Sequence, residues 1–285
     1  MKSQKKKNPI RIYLILVLGV CYTLGILEMI VGNGNFYQIL GIGFTFIPVI
    51  CAVITRRLTG CKAKYHLSLK VWKNVKAWLF SAFVPVTLIA AGAVLFFMIF
   101  TDQYSGVLKY GIRFGTDSEM TVGNPMVFVL AAITISALAI PIQLLELGEE
   151  IGWRGYLLGF QVEKYGEKKA VIVNGAEWGI SHFPLIWFGF NYSLNNPGAP
   201  CTNMAMMCLV CIVLGIVFSY ITIRTGNCMY AAIMHGAVNV MGELPVFLTY
   251  DMESGLLGPN PTGLIGILFL LVFAVILWTK MKSKN

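Results

Sequence analysis

The chain has 285 residues, of which 57% are hydrophobic and only 12% are charged, and its formal net charge is +9. Because soluble domains carry about 25% charged residues, this composition excludes an ordinary soluble protein and indicates several membrane-spanning helices. The positive charge does not indicate nucleic acid, since the Lys and Arg residues stand between apolar runs and form no basic helix or aromatic-interleaved surface. We therefore expect contact with membrane lipid and none with nucleic acid.

Eight apolar segments follow one another, each long enough for a hydrocarbon core about 30 Å thick. They cover approximately residues 12–31, 36–55, 78–100, 126–159, 170–190, 203–223, 228–249 and 262–280. Turn sequences that include Gly32-Asn33-Gly34 and Gly226-Asn227 separate them. No repeat is visible, so we predict one all-α polytopic membrane domain over residues 1–285. The first segment is interpreted as a retained helix, because its apolar run exceeds a signal core and no small-residue cleavage site follows.

The distribution of Lys and Arg predicts the orientation. One side carries 19 of these residues: Lys2, Lys5, Lys6, Lys7, Arg11, Arg56, Arg57, Lys62, Lys64, Lys70, Lys73, Lys76, Lys164, Lys168, Lys169, Arg224, Lys280, Lys282 and Lys284. The other side carries Lys109 and Arg113. About eight spans with both termini in the cytoplasm explain this asymmetry. The segment 56–78 is either a plain basic loop or a segment lying on the anionic inner leaflet.

Seven cysteines show no spacing typical of a disulfide framework. Cys208 and Cys211 form a C-x-x-C pattern, but this pattern lies inside an apolar helix with no histidine beside it. Cysteine often behaves as a small buried hydrophobe. We favour that interpretation over metal binding or redox chemistry.

Polar residues interrupt three of the apolar segments, and ionisable groups in a bilayer usually mark a functional site. At 1.5 Å per residue, the distance from the nearest basic loop is roughly 22 Å for Glu149, 20 Å for His182, 16 Å for His235 and 22 Å for Asn239. Their similar depth on three helices predicts that these side chains converge on one site.

The two adjacent acids of the fourth segment point about 100° apart on a helix. Arg154 follows Glu150 by four residues and shares its face, so we predict a structural ion pair between them. Glu149 lacks that partner and is a candidate general base. The alternative is that both acids serve only to pair with cations. Glu28, Glu146, Glu177 and Glu243 are not assigned catalytic roles, although Glu146 lies three residues before Glu149 and is placed for a supporting contact.

The fifth and seventh apolar segments each carry a polar residue four positions from another side chain on the same helix face. Trp178 and His182 share one face, and His182 is either a site residue or a satisfied buried histidine. His235 and Asn239 share another face. This pair can donate hydrogen bonds to a developing oxyanion, or it can act as polar contact between helices.

These motifs resemble those of the CPBP (Abi) intramembrane proteases, which include type II CAAX prenyl endopeptidases and bacteriocin-processing or self-immunity proteins. The resemblance covers about residues 143–241 and rests on Glu149-Glu150-Ile-Gly-Trp-Arg154, the His182 segment and His235-x-x-x-Asn239. Trp178 departs from the family pattern, which usually has Phe there. The resemblance implies an eight-helix protease with a cavity open toward the cytoplasmic side, located in a bacterial plasma membrane.

Carried over residue by residue, the resemblance implies that Glu149 and His182 activate the attacking water. It implies that His235 and Asn239 stabilise the oxyanion, while Glu150 and Arg154, with Trp178, support the site. The substrate would be a peptide or protein: a prenylated C-terminal peptide, a bacteriocin leader and a regulatory membrane protein are all compatible.

A metal-dependent site is an alternative. Glu149, His182 and His235 could bind zinc, because catalytic zinc sites use three protein ligands and one water. The chain contains no H-E-x-x-H motif, and we favour a metal-free mechanism with no cofactor. Two non-protease alternatives are a non-catalytic immunity or scaffold protein, and a transporter with a Glu/His proton relay. The transporter is disfavoured because no paired Gly/Pro-broken helices occur in two matching halves.

Overall fold

The computed structural model describes residues 8–31, 35–110, 118–250 and 255–284, which fold mainly into packed helices. The α-helices are α1 (Pro9–Val31), α2 (Asn35–Thr59), α3 (Val75–Ile99), α4 (Pro125–Ala137), α5 (Ile140–Leu145), α6 (Leu147–Glu150), α7 (Leu158–Tyr165), α8 (Glu167–Ser181), α9 (Phe183–Trp187), α10 (Cys201–Thr225), α11 (Met229–Glu243) and α12 (Leu268–Thr279). A π-helical segment, Ile151–Leu157, joins α6 to α7. Strands β1 (Val107–Tyr110) and β2 (Ser118–Thr121) form a short antiparallel hairpin.

The helical membrane class predicted from composition is confirmed. Among the described residues, five stretches are long and apolar enough to cross a membrane: Pro9–Val31, Val71–Ile99, Pro125–Leu145, Cys201–Thr225 and Met229–Leu248. The chain is thus an integral membrane protein, while the number of eight spans stays a prediction. The predicted turn at 32–34 and the cations Lys2, Lys5, Lys6, Lys7 and Arg113 lie outside the described residues.

The predicted fourth segment, 126–159, is not one continuous helix, and Pro141 explains the first break. A proline has no backbone N–H and disfavours helical geometry in the residue before it, so α4 ends at Ala137 and α5 begins at Ile140. The side-chain amide of Gln143 donates to the carbonyl of Ala137 at 2.9 Å. This bond replaces the backbone hydrogen bond that Pro141 cannot make and leaves the bend without an unsatisfied carbonyl.

Helices α8 and α10 approach each other closely because glycines lie at their contact. A Cβ added at Gly175 would lie 2.7 Å from the Cα of Ile212, and one added at Gly215 would lie 3.0 Å from the Cα of Gly175. Small residues allow such close backbone packing in membranes. The contact fixes α8, which carries Trp178 and ends directly before His182, against the buried length of α10.

The helices share two ends, which contacts between loops define. The basic end comprises residues 56–76, 164–169, 224–228 and 280–284. Here His66 N–H donates to Gly226 O at 3.1 Å, Arg224 pairs with Glu167 at 3.0 Å, and Lys168 N–H donates to Lys282 O at 3.3 Å. The predicted grouping of the basic loops is therefore observed, while the side of the membrane they face stays a prediction.

The opposite end comprises residues 100–110, 118–124, 188–200, 244–250 and 255–264. The backbone N–H of Ser105 donates to Leu248 O at 2.9 Å, and the Tyr192 hydroxyl donates to Thr262 O at 3.0 Å. The functional side chains lie between these two ends.

Candidate active site

The predicted ion pair between Glu150 and Arg154 is present. Arg154 Nη1 donates to Glu150 Oε1 at 2.9 Å, and both side chains are 0% exposed. The guanidinium carbon also lies 4.2 Å from the Trp178 ring centroid and 5.4 Å from that of Phe218. Cation–π contacts with these rings stabilise a charge that is removed from water. The pair therefore holds the π-helical segment against α8 and α10.

Glu149 has a different kind of partner. Its Oε2 accepts a hydrogen bond of 2.7 Å from the indole Nε1 of Trp178, and its side chain is buried. Within the described parts of the chain, no Lys or Arg forms a salt bridge with it. As the helical phase predicted, Glu150 takes the arginine while Glu149 keeps a carboxylate oxygen that Trp178 does not use.

His182 lies at the C-terminal end of α8, not inside a continuous helix over the predicted segment 170–190. Pro184 lacks the N–H that would continue α8, and the short α9 starts at Phe183. The predicted proximity of Trp178 and His182 is present, with ring centroids 5.6 Å apart. His182 Nδ1 lies 2.9 Å from Trp178 O. Because a carbonyl only accepts, Nδ1 carries the proton, and Nε2 of the neutral ring is left as an acceptor.

His235 and Asn239 each donate one hydrogen bond to a carboxylate outside their own helix. His235 Nδ1 donates to Glu150 Oε1 at 3.0 Å, and Asn239 Nδ2 donates to Glu146 Oε1 at 3.0 Å. The amide nitrogen of Asn239 has a second hydrogen, and His235 has a second ring nitrogen. Both residues therefore keep one group that is able to contact a substrate.

Glu146 is the site residue that the catalytic assignment from sequence missed. Besides its bond with Asn239, its Oε2 lies 3.6 Å from His235 Nδ1, and it is buried. The available signal was its spacing, since residues three apart on a helix are neighbours. That spacing predicted a supporting contact, and the structure places this contact on Asn239 and His235.

One cavity of about 430 Å³ contains all four predicted catalytic residues, Glu149, His182, His235 and Asn239. Its lining is mixed, with apolar side chains along the walls and polar ones at the site. The other lining residues come from α2, α5, α6, α8, α9, α10, α11 and the loops of the opposite end; they include Phe44, Thr45, Leu145, Glu146, Trp178, Leu214 and Asn260. The predicted convergence of three helices on one site is thus observed.

The cavity lies on one side of the site relative to the two ends of the helices. The expectation was an opening toward the cytoplasmic side, which the Lys and Arg distribution assigns to the basic end. No residue of the basic end lines the cavity, whereas Asn191, Glu243 and Thr262 of the opposite half do. On α11 the lining starts at His235 and continues toward Glu243. The basic side of the site is filled by buried side chains such as Arg154. The side of the membrane toward which the cavity opens stays a prediction.

The residues fit a divalent metal, although in a different set from the expected one. Ligand atoms of Glu146, Glu149 and His235 all lie within 4.8 Å of one another, and no such group within the described ranges contains His182. Carboxylate and imidazole are ligands that zinc accepts. This donor set is therefore suitable for a divalent metal. Its third ligand is Glu146, whereas the sequence suggested His182.

Comparison with known proteins agrees with this site. The family model of the type II CAAX prenyl endopeptidase Rce1-like proteins matches residues 123–241. The chain is 30% identical over 135 residues to CAAX prenyl protease 2 of Methanococcus maripaludis, and the aligned part covers 46% of each protein. The chain therefore spans about half the length of this relative. The matched segment contains every residue of the site from Glu146 to Asn239, so the similarity to the Rce1-like family includes the whole site.

Proposed function

We propose that this chain is an intramembrane endopeptidase that hydrolyses a peptide bond of a membrane-associated substrate with water activated by Glu149 and His182. One observation carries this proposal: a single cavity is lined by the four residues, and each keeps a polar atom that its protein partner does not use. The name of the archaeal relative, a CAAX prenyl protease, supports peptide-bond hydrolysis. We place the protein in a bacterial plasma membrane.

In the proposed reaction, the free carboxylate oxygen of Glu149 takes a proton from water as the water oxygen attacks the scissile carbonyl carbon. His182 Nε2 accepts the other hydrogen bond from this water and orients it. The oxyanion receives a hydrogen bond from Asn239 Nδ2. It receives a second one from His235 Nε2 when the His235 ring carries a proton on that nitrogen. Glu149 then returns the proton to the leaving amine as the C–N bond breaks. General acid–base catalysis contributes about 10²–10⁴-fold, and each oxyanion donor contributes about 10²–10³-fold.

A metal-dependent version of the same activity is the second candidate, because Glu146, Glu149 and His235 offer a suitable donor set. These three residues would hold the ion. At such a site zinc would supply Lewis-acid chemistry toward the substrate carbonyl and the attacking water. In that case His182 would remain the group that orients the water from outside the donor set.

The test is a comparison of terminal peptides by mass spectrometry in membranes that express the wild type or Glu149→Gln. Gln is close to Glu in shape and still accepts the Trp178 hydrogen bond, but it cannot act as a base. New termini in the wild type that are absent with Glu149→Gln support the proposal. Glu119→Gln, at an exposed position in β2, is the matched control and should cleave normally. Equal termini in all three membranes would favour a non-catalytic immunity or scaffold protein instead.

A further inference from the structure

The connection between α2 and α3, residues 60–74, is fastened across the basic end of the molecule. The backbone N–H of His66 donates to Gly226 O at 3.1 Å. The side chain of Asn227 bonds the backbone of Ser68 twice, since its Oδ1 accepts from the N–H at 3.0 Å and its Nδ2 donates to the carbonyl at 2.9 Å. The α2–α3 connection is thereby held in one conformation, so its outer side chains lose little freedom when they bind a partner.

The outer face of the α2–α3 connection is apolar. Leu67, Leu69 and Trp72 are 44%, 59% and 67% exposed, whereas Val71 between them packs against the core. One of the stretches that are long and apolar enough to cross a membrane begins at Val71. The three exposed side chains therefore lie where the hydrocarbon of the bilayer meets the lipid headgroups, which is the level that tryptophan prefers.

The exposed apolar side chains stand among lysines without acidic partners. Within the residues that the structure describes, no Asp or Glu forms a salt bridge with four exposed lysines of this region: Lys62, Lys70, Lys73 and Lys76. Lys64 differs, because it pairs with Glu163. The sequence contains no acidic residue between Glu28 and Asp102. The positive potential of this surface is therefore not neutralised by its own neighbours in the chain.

This combination of groups fits one kind of partner better than others. Lysine ammonium groups attract the phosphates of anionic headgroups, while adjacent leucine and tryptophan side chains enter the acyl boundary below them. A nucleic acid or an acidic soluble protein would pair with the lysines but would leave Leu69 and Trp72 against a hydrated surface. The lipid headgroups also lie beside the α2–α3 connection at all times, because a membrane-spanning stretch starts within it.

We propose that the α2–α3 connection is a binding site for anionic phospholipid, in which its lysines hold the headgroup phosphates and Leu67, Leu69 and Trp72 insert beside them. Of the two alternatives for this segment, the proposal selects contact with lipid over a plain basic loop. It does not depend on the proposed protease function. Because Asn227 and Tyr230 bond the connection to the start of α11, lipid bound here stabilises the folded protein.

The fluorescence of Trp72 measures which lipid lies against the site. The full chain is placed in lipid nanodiscs that contain an equal mixture of phosphatidylglycerol and phosphatidylcholine, with bromine on the acyl chains of one lipid or of the other. The signal of Trp72→Phe supplies the background from the remaining tryptophans. Brominated phosphatidylglycerol should quench Trp72 about threefold more than brominated phosphatidylcholine, since each lysine near an anionic surface contributes to the preference. This difference should shrink in about 1 M salt, which screens charges beyond a few ångströms.

Two charge variants show whether the lysines cause the preference. Lys70→Gln/Lys73→Gln, which removes the two lysines that flank Trp72, should make the quenching by the two lipids nearly equal. Lys280→Gln/Lys282→Gln removes the same charge from exposed positions at the same end and should keep the preference. Equal quenching by both lipids in the wild type would overturn the proposal. Quenching by aqueous acrylamide with no effect of either brominated lipid would also overturn it and would identify a solvated basic loop.

Thermal unfolding gives a second measurement that does not use tryptophan. Phosphatidylglycerol added to the protein in detergent should raise the unfolding temperature of the wild type and of Lys280→Gln/Lys282→Gln, and should raise that of Lys70→Gln/Lys73→Gln clearly less. Phosphatidylcholine and inorganic phosphate at the same concentrations should have little effect. An increase with inorganic phosphate equal to that with phosphatidylglycerol would mean a site for free phosphate and would contradict the lipid assignment.

Discussion

The indole N–H of Trp178 donates a hydrogen bond of 2.7 Å to the carboxylate of Glu149. This bond links α8 to α6 through two residues that are 29 positions apart in the chain. The same tryptophan accepts the Nδ1 proton of His182 at its backbone carbonyl. Its ring also lies 5.2 Å from that of His235 and beneath the guanidinium of Arg154. Trp178 therefore contacts both sides of the proposed reaction centre and orients the carboxylate and the imidazole that face the water.

Trp178→Phe should lower kcat by about 10- to 100-fold with little change in KM. Phe keeps an aromatic ring for Arg154 and His235 but has no N–H for Glu149, and hydrogen bonds to charged groups contribute about 1.5–3 kcal/mol. Kinetics on a peptide from the identified substrate measure the effect. The pH dependence of kcat should also shift, because Trp178 bonds the carboxylate that takes the proton. A purely structural role for Trp178 would not cause this shift. Trp187→Phe, at an exposed position of α9, should leave both parameters unchanged.

Asn239→Ala should reduce kcat by about 10²–10³-fold, the usual loss for one oxyanion donor. The variant removes the amide that donates to Glu146. In the proposed mechanism the same amide also donates to the oxyanion. Asn195→Ala, in an exposed loop of the opposite end, is the control. A normal kcat for Asn239→Ala with reduced thermal stability would mean that the residue is only a polar contact between helices.

Arg154→Met should destabilise the protein by about 3–5 kcal/mol, because it leaves Glu150 as a buried charge without its cation. The double variant Glu150→Gln/Arg154→Met should regain part of this loss, since the introduced glutamine carries no charge and still accepts the His235 hydrogen bond. Thermal unfolding in detergent measures both. A double variant no more stable than Arg154→Met would contradict the role of charge in this pair.

Gly236→Ala should lower both stability and activity. A Cβ at this position would lie 2.5 Å from the Cα of Gln143, so α11 would have to move away from α5. Overpacking of this kind costs about 1–3 kcal/mol, and the movement would displace the adjacent His235. Gly19→Ala, where nothing lies within 4 Å, should have neither effect. Unfolding temperature and cleavage rate, measured together, check this prediction.

Removal of metal should leave cleavage unchanged if the favoured metal-free mechanism is correct. The purified protein is treated with a chelator, and its metal content and activity are then measured. Loss of activity that zinc restores would instead support the metal-dependent version, and Glu146→Gln should then weaken zinc binding measured directly. Glu119→Gln, outside the donor set, should bind zinc like the wild type.

Features that depend on near neighbours in the chain were predictable. Glu150 and Arg154 are four residues apart, so helix geometry alone places them together. Trp178 and His182 contact each other for the same reason. The helix breaks were harder to predict. Pro141 and Pro184 interrupt segments that are continuously hydrophobic, so the length of the apolar run alone does not reveal the breaks.

The sequence by itself determined that this is a helical membrane protein, that its basic loops share one end, and that Glu149, His182, His235 and Asn239 converge. These properties follow from hydrophobicity, charge and helical repeat, which are local. Only the tertiary structure decided that Glu146 joins the site, that His235 bonds Glu150 across 85 residues, and that the cavity extends away from the basic end. These depend on how each helix is rotated and packed against its neighbours, and no local pattern in the chain specifies that rotation.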